Sequence, residues 1–139
     1  MSFTMQADGR KFLAEMLAGS GKKINGMYVE YGTGSAGVRN SEYFINLEKG
    51  GTAGFARVAV TNAYVAPDGC TVHFDGMVCT GDLTGTPVKG AKLTCATLAC
   101  LDSEHPENDV LVCTVDFGSP VQIVKGAYTA IHTSMKLGA

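Results

Sequence analysis

The sequence has little of several features that mark common functional classes. It contains no tryptophan and only 4 prolines, and its charged residues make up 17% of the chain with a formal net charge of −2. A chain with this balance has no basic field to hold the phosphates of DNA or RNA. The composition therefore predicts a protein with no nucleic-acid partner.

Long apolar runs are also missing. No stretch approaches the roughly 18 apolar residues that span a membrane. The first ten residues, Met1–Arg10, have no charged region leading into an apolar one, which argues against a signal peptide. We expect a protein without a membrane partner that is made in a cytoplasm.

Cysteine is present, but not in a pattern that indicates metal or disulfide chemistry. The number is odd, no pair has C-x-x-C spacing, and most lie in apolar strand patterns: Cys70, Cys79, Cys95, Cys100 and Cys113. Such cysteines pack as small hydrophobic side chains. We expect them to be reduced and buried, with a disulfide between neighbouring strands as the alternative.

The length of 139 residues and the 45% hydrophobic content predict one domain, 1–139, with a core of its own. The clearest local pattern is a β-hairpin. Phe55–Val65 and Cys70–Cys79 alternate apolar with polar residues, and Ala66–Gly69 between them has turn chemistry.

A short helix is predicted at about 8–18. Its apolar residues recur at helical spacing, Asp8 is suited to begin it and Gly19 to end it. Further strands are indicated at Ile24–Tyr31, Ala91–Leu101, Val110–Phe117 and Gly126–Leu137. Because crossover helices between these strands are missing, the expected fold is mainly β, an antiparallel β-sandwich with one short N-terminal α-helix.

One glycine-rich segment imitates a nucleotide-binding fingerprint. Gly32–Gly37 matches G-x-G-x-x-G and follows a predicted strand, as that motif requires. However, the residues after it have a poor helical stripe and the chain offers no further β-α alternation. A glycine-rich turn is the favoured interpretation.

The segment of about 35–54 is predicted to form a long arm. Connections of this length are uncommon in compact domains and are usually functional or mobile. Because Tyr43, Phe44 and Ile45 make an apolar cluster inside it, we expect the arm to contact other subunits or a neighbouring protein instead of its own core. An ordinary surface excursion is the alternative.

Polar candidates for chemistry are few. They are His73 with Asp75 on one strand face, His132, and an acidic loop containing Asp102, Glu104, His105, Glu107 and Asp109. No nucleophile is paired with a base, and the loop lacks the ligand spacing of an EF-hand. We therefore expect no enzymatic activity, no cofactor and no metal site.

Four short patterns taken together carry a resemblance. They are Gly9–Leu17, Tyr31–Gly34, Ala56–Thr61 with the sequence Ala-Arg-Val-Ala-Val-Thr, and Val124–Lys125 leading to Tyr128–Thr133. With these four patterns in this order, the chain resembles small tailed-bacteriophage virion proteins of the tail-fibre, collar and baseplate-accessory kind. The segment around 38–50 and the cysteines depart from the pattern of that group.

The resemblance implies a non-enzymatic structural protein located in the virion. Its implied partners are itself, as a trimer or ring, and other virion proteins. Two alternatives remain open at this point: a receptor- or carbohydrate-binding module at a fibre tip, and a capsid decoration protein.

Overall fold

A computed structural model of the chain describes residues 3–34 and 37–138. The elements, in chain order, are β1 (Phe3–Met5), α1 (Gly9–Leu17), β2 (Gly26–Tyr31), α2 (Ser41–Lys49), β3 (Gly54–Val65), β4 (Thr71–Cys79), β5 (Lys92–Cys100), β6 (Val110–Gln122) and β7 (Tyr128–Lys136). Among the described residues, no helix has the length and apolar character needed to cross a membrane.

The seven strands form one antiparallel sheet in the order β1-β6-β5-β2-β3-β4-β7, curled into a half-barrel. The mainly β, antiparallel prediction is confirmed, and the predicted hairpin is the pair β3–β4. The two facing sheets of a sandwich are not confirmed.

A single long strand accounts for this difference. β3 pairs with β2 through its first half and with β4 through its second half, and the register shifts between Val60 and Asn62. Such a bulge bends a strand and increases its twist. The sheet therefore curves around its own core, so that one sheet encloses side chains that were expected to lie between two.

The main core lies on the inner face of the curl, where Met27, Val29, Leu93, Leu98 and Val115 are fully buried. The predicted helix is confirmed as α1, whose Phe12 belongs to this core. At its first residue the helix approaches β6 so closely that a Cβ on Gly9 would lie 2.0 Å from the Val112 carbonyl oxygen. Only glycine fits there.

The structure corrects the prediction of an arm at 35–54, since most of that segment forms α2 and its flanking turns. Asn40 caps this helix, because its side-chain oxygen accepts from the Tyr43 amide at 2.8 Å. The apolar stripe of α2 is short, with Phe44 as its one fully buried residue, which explains why periodicity did not reveal the helix. Ser35 and Ala36, at the start of the predicted arm, lie outside the described residues.

α2 has a structural consequence for β2. All six residues of that strand are buried, although alternation would leave one face of an antiparallel sheet in contact with water. Phe44 covers the outer face of β2 by packing against Tyr28. The two residues also line a cleft on this face of the sheet.

Candidate functional site

A cleft with a volume of about 510 Å³ opens on the outer face of the sheet. One wall comes from α2 and the residues before it, and the other comes from the loop that precedes β6. Its floor is the outer face of β2 and β3. The residues that line the cleft include Asp8, Tyr28, Val38, Phe44, Phe55, Arg57, Glu107 and Asp109.

The floor of the cleft is aromatic. The Phe44 ring lies 4.7 Å from both the Tyr28 and the Phe55 ring, and those two rings stack at 5.5 Å. Contacts of this geometry add to the energy of simple burial. The cleft therefore has a rigid apolar base whose shape is set by three mutually packed rings.

An ion pair lies at one side of this floor. Arg57 donates to both carboxylate oxygens of Asp109, at 2.7 and 2.8 Å, and the Tyr28 hydroxyl donates to the same carboxylate at 2.5 Å. Arg57 also donates to the Asp102 carbonyl oxygen at 2.7 Å. The pair thus ties the loop before β6 to the sheet.

The electrostatics of this group follow from burial and hydrogen bonding. Burial opposes ionisation of Asp109, but hydrogen bonds from Arg57, Tyr28 and the Asp102 amide outweigh it and hold the pKa of that carboxyl below its usual value. Burial, followed by the hydrogen bond to Asp109, raises the pKa of Tyr28 to about 12. At neutral pH the site therefore contains a neutral phenol and a carboxylate paired with a guanidinium.

Acid should weaken this pair. A carboxyl group whose folded pKa is depressed contributes stability above its unfolded value, about 3.9 for Asp, and that contribution disappears as the pH falls through the folded pKa. We expect Asp109→Asn to cost about 1–3 kcal/mol at pH 7. The difference from wild type should shrink below about pH 4. Urea unfolding at a series of pH values measures it, and a difference that does not change with pH would contradict the assignment.

A second and deeper ion pair lies behind the cleft. Glu30 is fully buried and Arg39 is 4% exposed, and the Arg39 Nε donates to Glu30 at 3.1 Å. The Tyr43 hydroxyl donates to the same carboxylate at 2.6 Å and the Thr33 hydroxyl at 3.0 Å. This network anchors the segment between β2 and α2 to the sheet.

The glycine-rich turn is part of the same arrangement. The Arg39 guanidinium donates to the carbonyl oxygens of Gly34 and Gly37, so these two glycines bind a cation of the protein itself. Because the sheet is antiparallel and α2 begins only at Ser41, the βαβ context of a dinucleotide site is missing.

The structure brings together three of the polar candidates from the sequence. His132 Nδ1 lies 2.6 Å from Asp75 Oδ1, and His132 Nε2 lies 3.0 Å from His73 Nδ1. The His73 ring stacks on Tyr64 at 5.0 Å and on His132 at 4.8 Å. These four side chains form a polar-aromatic row on the outer face of β3, β4 and β7, and none of them lines the cleft.

The carboxylates of the acidic loop make different contacts. Asp109 joins Arg57, whereas Asp102 accepts from the amides of Glu104 and His105, both at 3.0 Å. Within residues 3–34 and 37–138, no group of three or more His, Cys, Asp or Glu side chains is arranged to hold a metal ion.

The three residues of the apolar cluster in α2 differ in burial. Phe44 is buried in its own chain, Tyr43 is half-buried, and Ile45 is 55% exposed. The expectation that all three lie outside the core is therefore corrected for Phe44. An interface role for this cluster stays a prediction, with Ile45 as its exposed member.

Sequence patterns did not indicate Tyr28, Glu30, Arg39 or Arg57 as site residues. One signal was available: Glu30 lies inside a strand whose neighbours are strongly apolar, and a carboxylate there requires a buried partner. The partner could not be named, because Arg39 approaches it through a turn that carries no recognisable spacing.

All five cysteines are free thiols; Cys95 and Cys113 are fully buried and the other three are half-buried. Burial, followed by the neighbouring Glu30 charge, raises the pKa of Cys95 to about 11, and burial alone raises the pKa of Cys113 to about 12. Because the thiolate is the reactive form, these two should react slowest in the native protein.

Thiol titration tests both points. With a disulfide reagent at pH 8, we expect Cys70, Cys79 and Cys100 to react first, and five thiols to be recovered in denaturant. Cys95→Ala and Cys113→Ala should each remove one slow equivalent and no fast one. Recovery of about one thiol in denaturant would show instead that four cysteines are paired.

No protein-family model, curated protein or solved structure matches this chain.

Proposed function

We propose that this protein is a non-enzymatic structural component of a bacteriophage virion, a homo-oligomer that attaches to other virion proteins at the tail, collar, baseplate or fibre junction. The order of sequence patterns described above supports the viral assignment. The structural observation that carries the oligomeric part is the open edge of the sheet.

That edge is β7. Over Tyr128–Lys136 the strand pairs with β4 on one side, and none of the described strands pairs with its other side. The open side of an edge strand is a template for association with another strand, and proteins cover such edges or join them to another chain. Closed symmetric assembly is a common way to achieve this.

The cleft supports a binding role in place of a chemical one. A general base must be free to accept a proton from a substrate, whereas Asp109 already accepts from Arg57, Tyr28 and a backbone amide. A rigid aromatic floor, beside an ion pair whose carboxylate already accepts three hydrogen bonds, is suited to recognising a partner by its shape.

Purified particles test the proposal. The protein should be detected in virions by mass spectrometry at a fixed copy number, and gold-labelled antibody should mark one station on the particle. Light scattering should show an oligomer of the isolated protein. Absence from washed particles would overturn the viral role, and a monomer at every concentration would overturn the homo-oligomer.

One observation favours a second candidate, receptor or carbohydrate binding at a fibre tip. The row of Tyr64, His73 and His132 offers ring surfaces beside the carboxylate of Asp75, and Tyr64 is 44% exposed. Sugars are bound by such combinations of apolar rings and hydrogen-bond acceptors. On a glycan panel, Tyr64→Ala and Asp75→Asn should abolish any signal, with Tyr128→Ala as the exposed-tyrosine control. No signal for wild type would remove this candidate.

A further inference from the structure

We infer that β7 of one copy pairs antiparallel with β7 of a second copy, about a two-fold axis at His132, so that the two sheets join into one. This inference rests on the homo-oligomeric part of the proposed function. It goes beyond that part because it names the partner strand, the direction of pairing and the residues that lie opposite each other.

The backbone groups of β7 alternate between the two sides of the strand. In an antiparallel ladder, opposite residues that exchange hydrogen bonds alternate with opposite residues that do not. The Leu137 amide donates to the Cys70 carbonyl oxygen at 2.7 Å, and this pair continues the register in which Thr71 lies opposite Lys136. The odd-numbered residues of β7 therefore bond to β4. The backbone groups of its even-numbered residues point to the open side.

The side chains of the same even-numbered residues face outward from the half-barrel. The odd-numbered positions Ile131, Thr133 and Met135 are buried. The even-numbered positions are exposed or half-buried: Tyr128, Ala130, His132, Ser134 and Lys136. A strand that extends the sheet antiparallel at this edge must therefore offer outward-facing residues whose backbone groups point to β7. In any other phase the core face of one sheet would continue into the outer face of the next.

Within the described residues the sheet has two edges, and β7 meets this condition whereas β1 does not. On β1 the Gln6 amide donates to the Val112 carbonyl oxygen at 2.9 Å, next to the pair of Met5 with Cys113. The backbone groups of Met5 thus point to the open side, while its side chain packs against the main core. Antiparallel pairing of β7 with β1 would place a core face beside an outer face. β1 also has only 3 residues.

β7 is complementary to itself in sequence. His132 is its middle residue, so pairing of the whole strand places His132 opposite its own copy. Tyr128 then lies opposite Lys136 of the second copy, and Ala130 lies opposite Ser134. A lysine is attracted to the face of a tyrosine ring, and the Tyr128 side chain is 63% exposed in the single chain. Directly opposite pairs of this kind stabilise a sheet.

The edge lacks the features with which proteins usually prevent such pairing. Charged side chains, lysine above all, protect exposed edges, but the sequence of β7 contains no Asp, Glu or Arg and one lysine, Lys136, at its last position. The His132 ring is held towards β4, because its two nitrogens lie 2.6 Å from Asp75 Oδ1 and 3.0 Å from His73 Nδ1. The ring therefore leaves the open side accessible.

A contact between two copies of one strand is isologous and closes on itself. Its product is a dimer, and a larger ring requires a further interface. A strand of another virion protein is the competing occupant of this edge, and the experiments below separate it from a second copy.

Disulfide trapping tests the register. Ala130→Cys and Ser134→Cys are prepared as separate proteins, mixed in equal amounts and oxidised. A hydrogen-bonded antiparallel pair has its Cα atoms about 5.5 Å apart, which a disulfide can span. The mixture should therefore give a covalent dimer that contains one copy of each variant. Each variant alone should not, because its new thiol then faces an unchanged Ser134 or Ala130.

A mixture of Tyr128→Cys with Ser134→Cys is the matched control. These positions are diagonal neighbours in the inferred register, about 7–8 Å apart, and a disulfide does not bridge such a distance. Oxidised wild type shows the background from the native cysteines. If the mixture of Ala130→Cys with Ser134→Cys gives no more covalent dimer than this control, the pairing is overturned.

Ala130→Pro tests the same edge without new thiols. Proline removes the amide at position 130 and places its ring on the open side, so association in sedimentation velocity should weaken about tenfold or more. Because that amide does not bond to β4, the urea midpoint should stay close to that of wild type. Ala130→Val keeps the amide and should associate as wild type does. Equal association of the two variants would contradict the inference.

The outcomes for this contact and for the virion are separable. An oligomer that forms without the disulfide between positions 130 and 134 would overturn the β7 pairing, while the homo-oligomeric proposal would stand. Loss of Ala130→Pro from particles without that disulfide would assign the edge to another virion protein, and it would also overturn the pairing. A covalent dimer of a protein that is absent from particles would support the pairing and overturn the viral role.

Discussion

Replacing Arg39 with methionine is expected to destabilise the fold by about 3–5 kcal/mol, because the change leaves a charge buried without its partner. Glu30 is fully buried and Arg39 is 4% exposed, so water cannot replace the lost guanidinium. Burial opposes the Arg39 charge, but the hydrogen bonds and charge of Glu30 outweigh it and raise the arginine's pKa. Arg39 therefore stays charged at neutral pH in wild type.

The double variant Arg39→Met with Glu30→Gln should recover part of that loss. Glutamine keeps an oxygen for the Tyr43 and Thr33 hydroxyls, which donate to the Glu30 carboxylate in wild type, and it removes the uncompensated charge. Urea unfolding of the wild type, of the single variants Arg39→Met and Glu30→Gln, and of the double variant gives the coupling energy between the two residues directly. If Arg39→Met costs under about 1 kcal/mol, the pair does not anchor the segment between β2 and α2.

Arg57→Met is the matched control for that experiment. Its partner Asp109 is 4% exposed at the side chain, but Arg57 itself is 27% exposed. Water can approach this pair, so the loss should be smaller than at Arg39. Equal losses at the two arginines would mean that burial does not set the cost.

Local patterns were sufficient to predict much of the sheet. The β3–β4 hairpin, the strand ending at Tyr31 and the helix α1 each depend on alternation, turn residues or helical spacing over about ten residues. These signals lie within one stretch of chain, and the structure confirms them. The curl of the sheet could not be predicted from local patterns. It depends on a bulge next to Thr61, where the sequence simply continues to alternate.

The site was harder to predict from the sequence than the fold. The ion pair of the cleft joins Arg57 and Asp109, which are 52 positions apart, and neither partner has a motif around it. Asp109 appeared among the acidic-loop candidates, but nothing in that loop indicated that it alone would turn inward. The helix α2 was hidden for a related reason, since a single buried residue, Phe44, does not make a helical stripe.

Phe44→Ser is expected to cost about 3–5 kcal/mol, the range for removing a large buried aromatic side chain. The ring is 4% exposed and packs against Tyr28, Tyr43 and Phe55. Its loss would leave a void under α2 and a polar hydroxyl among aromatic rings. The triple replacement of Tyr43, Phe44 and Ile45 by serine should therefore destabilise the fold strongly, whereas the same change in an arm outside the core would leave the domain folded.

Ile45→Ser on the same helix separates an interface role from a core role. Ile45 is 55% exposed, so its replacement should change stability by no more than about 0.5 kcal/mol. If this residue contacts a neighbouring subunit or virion protein, incorporation into particles should fall while the urea midpoint stays constant, because only the assembled state buries the side chain. Asn46→Ser, at the next position, which is also exposed, is the control and should alter neither. Unchanged incorporation of Ile45→Ser would limit the cluster to its role within the subunit, where Phe44 is buried and Tyr43 donates to Glu30.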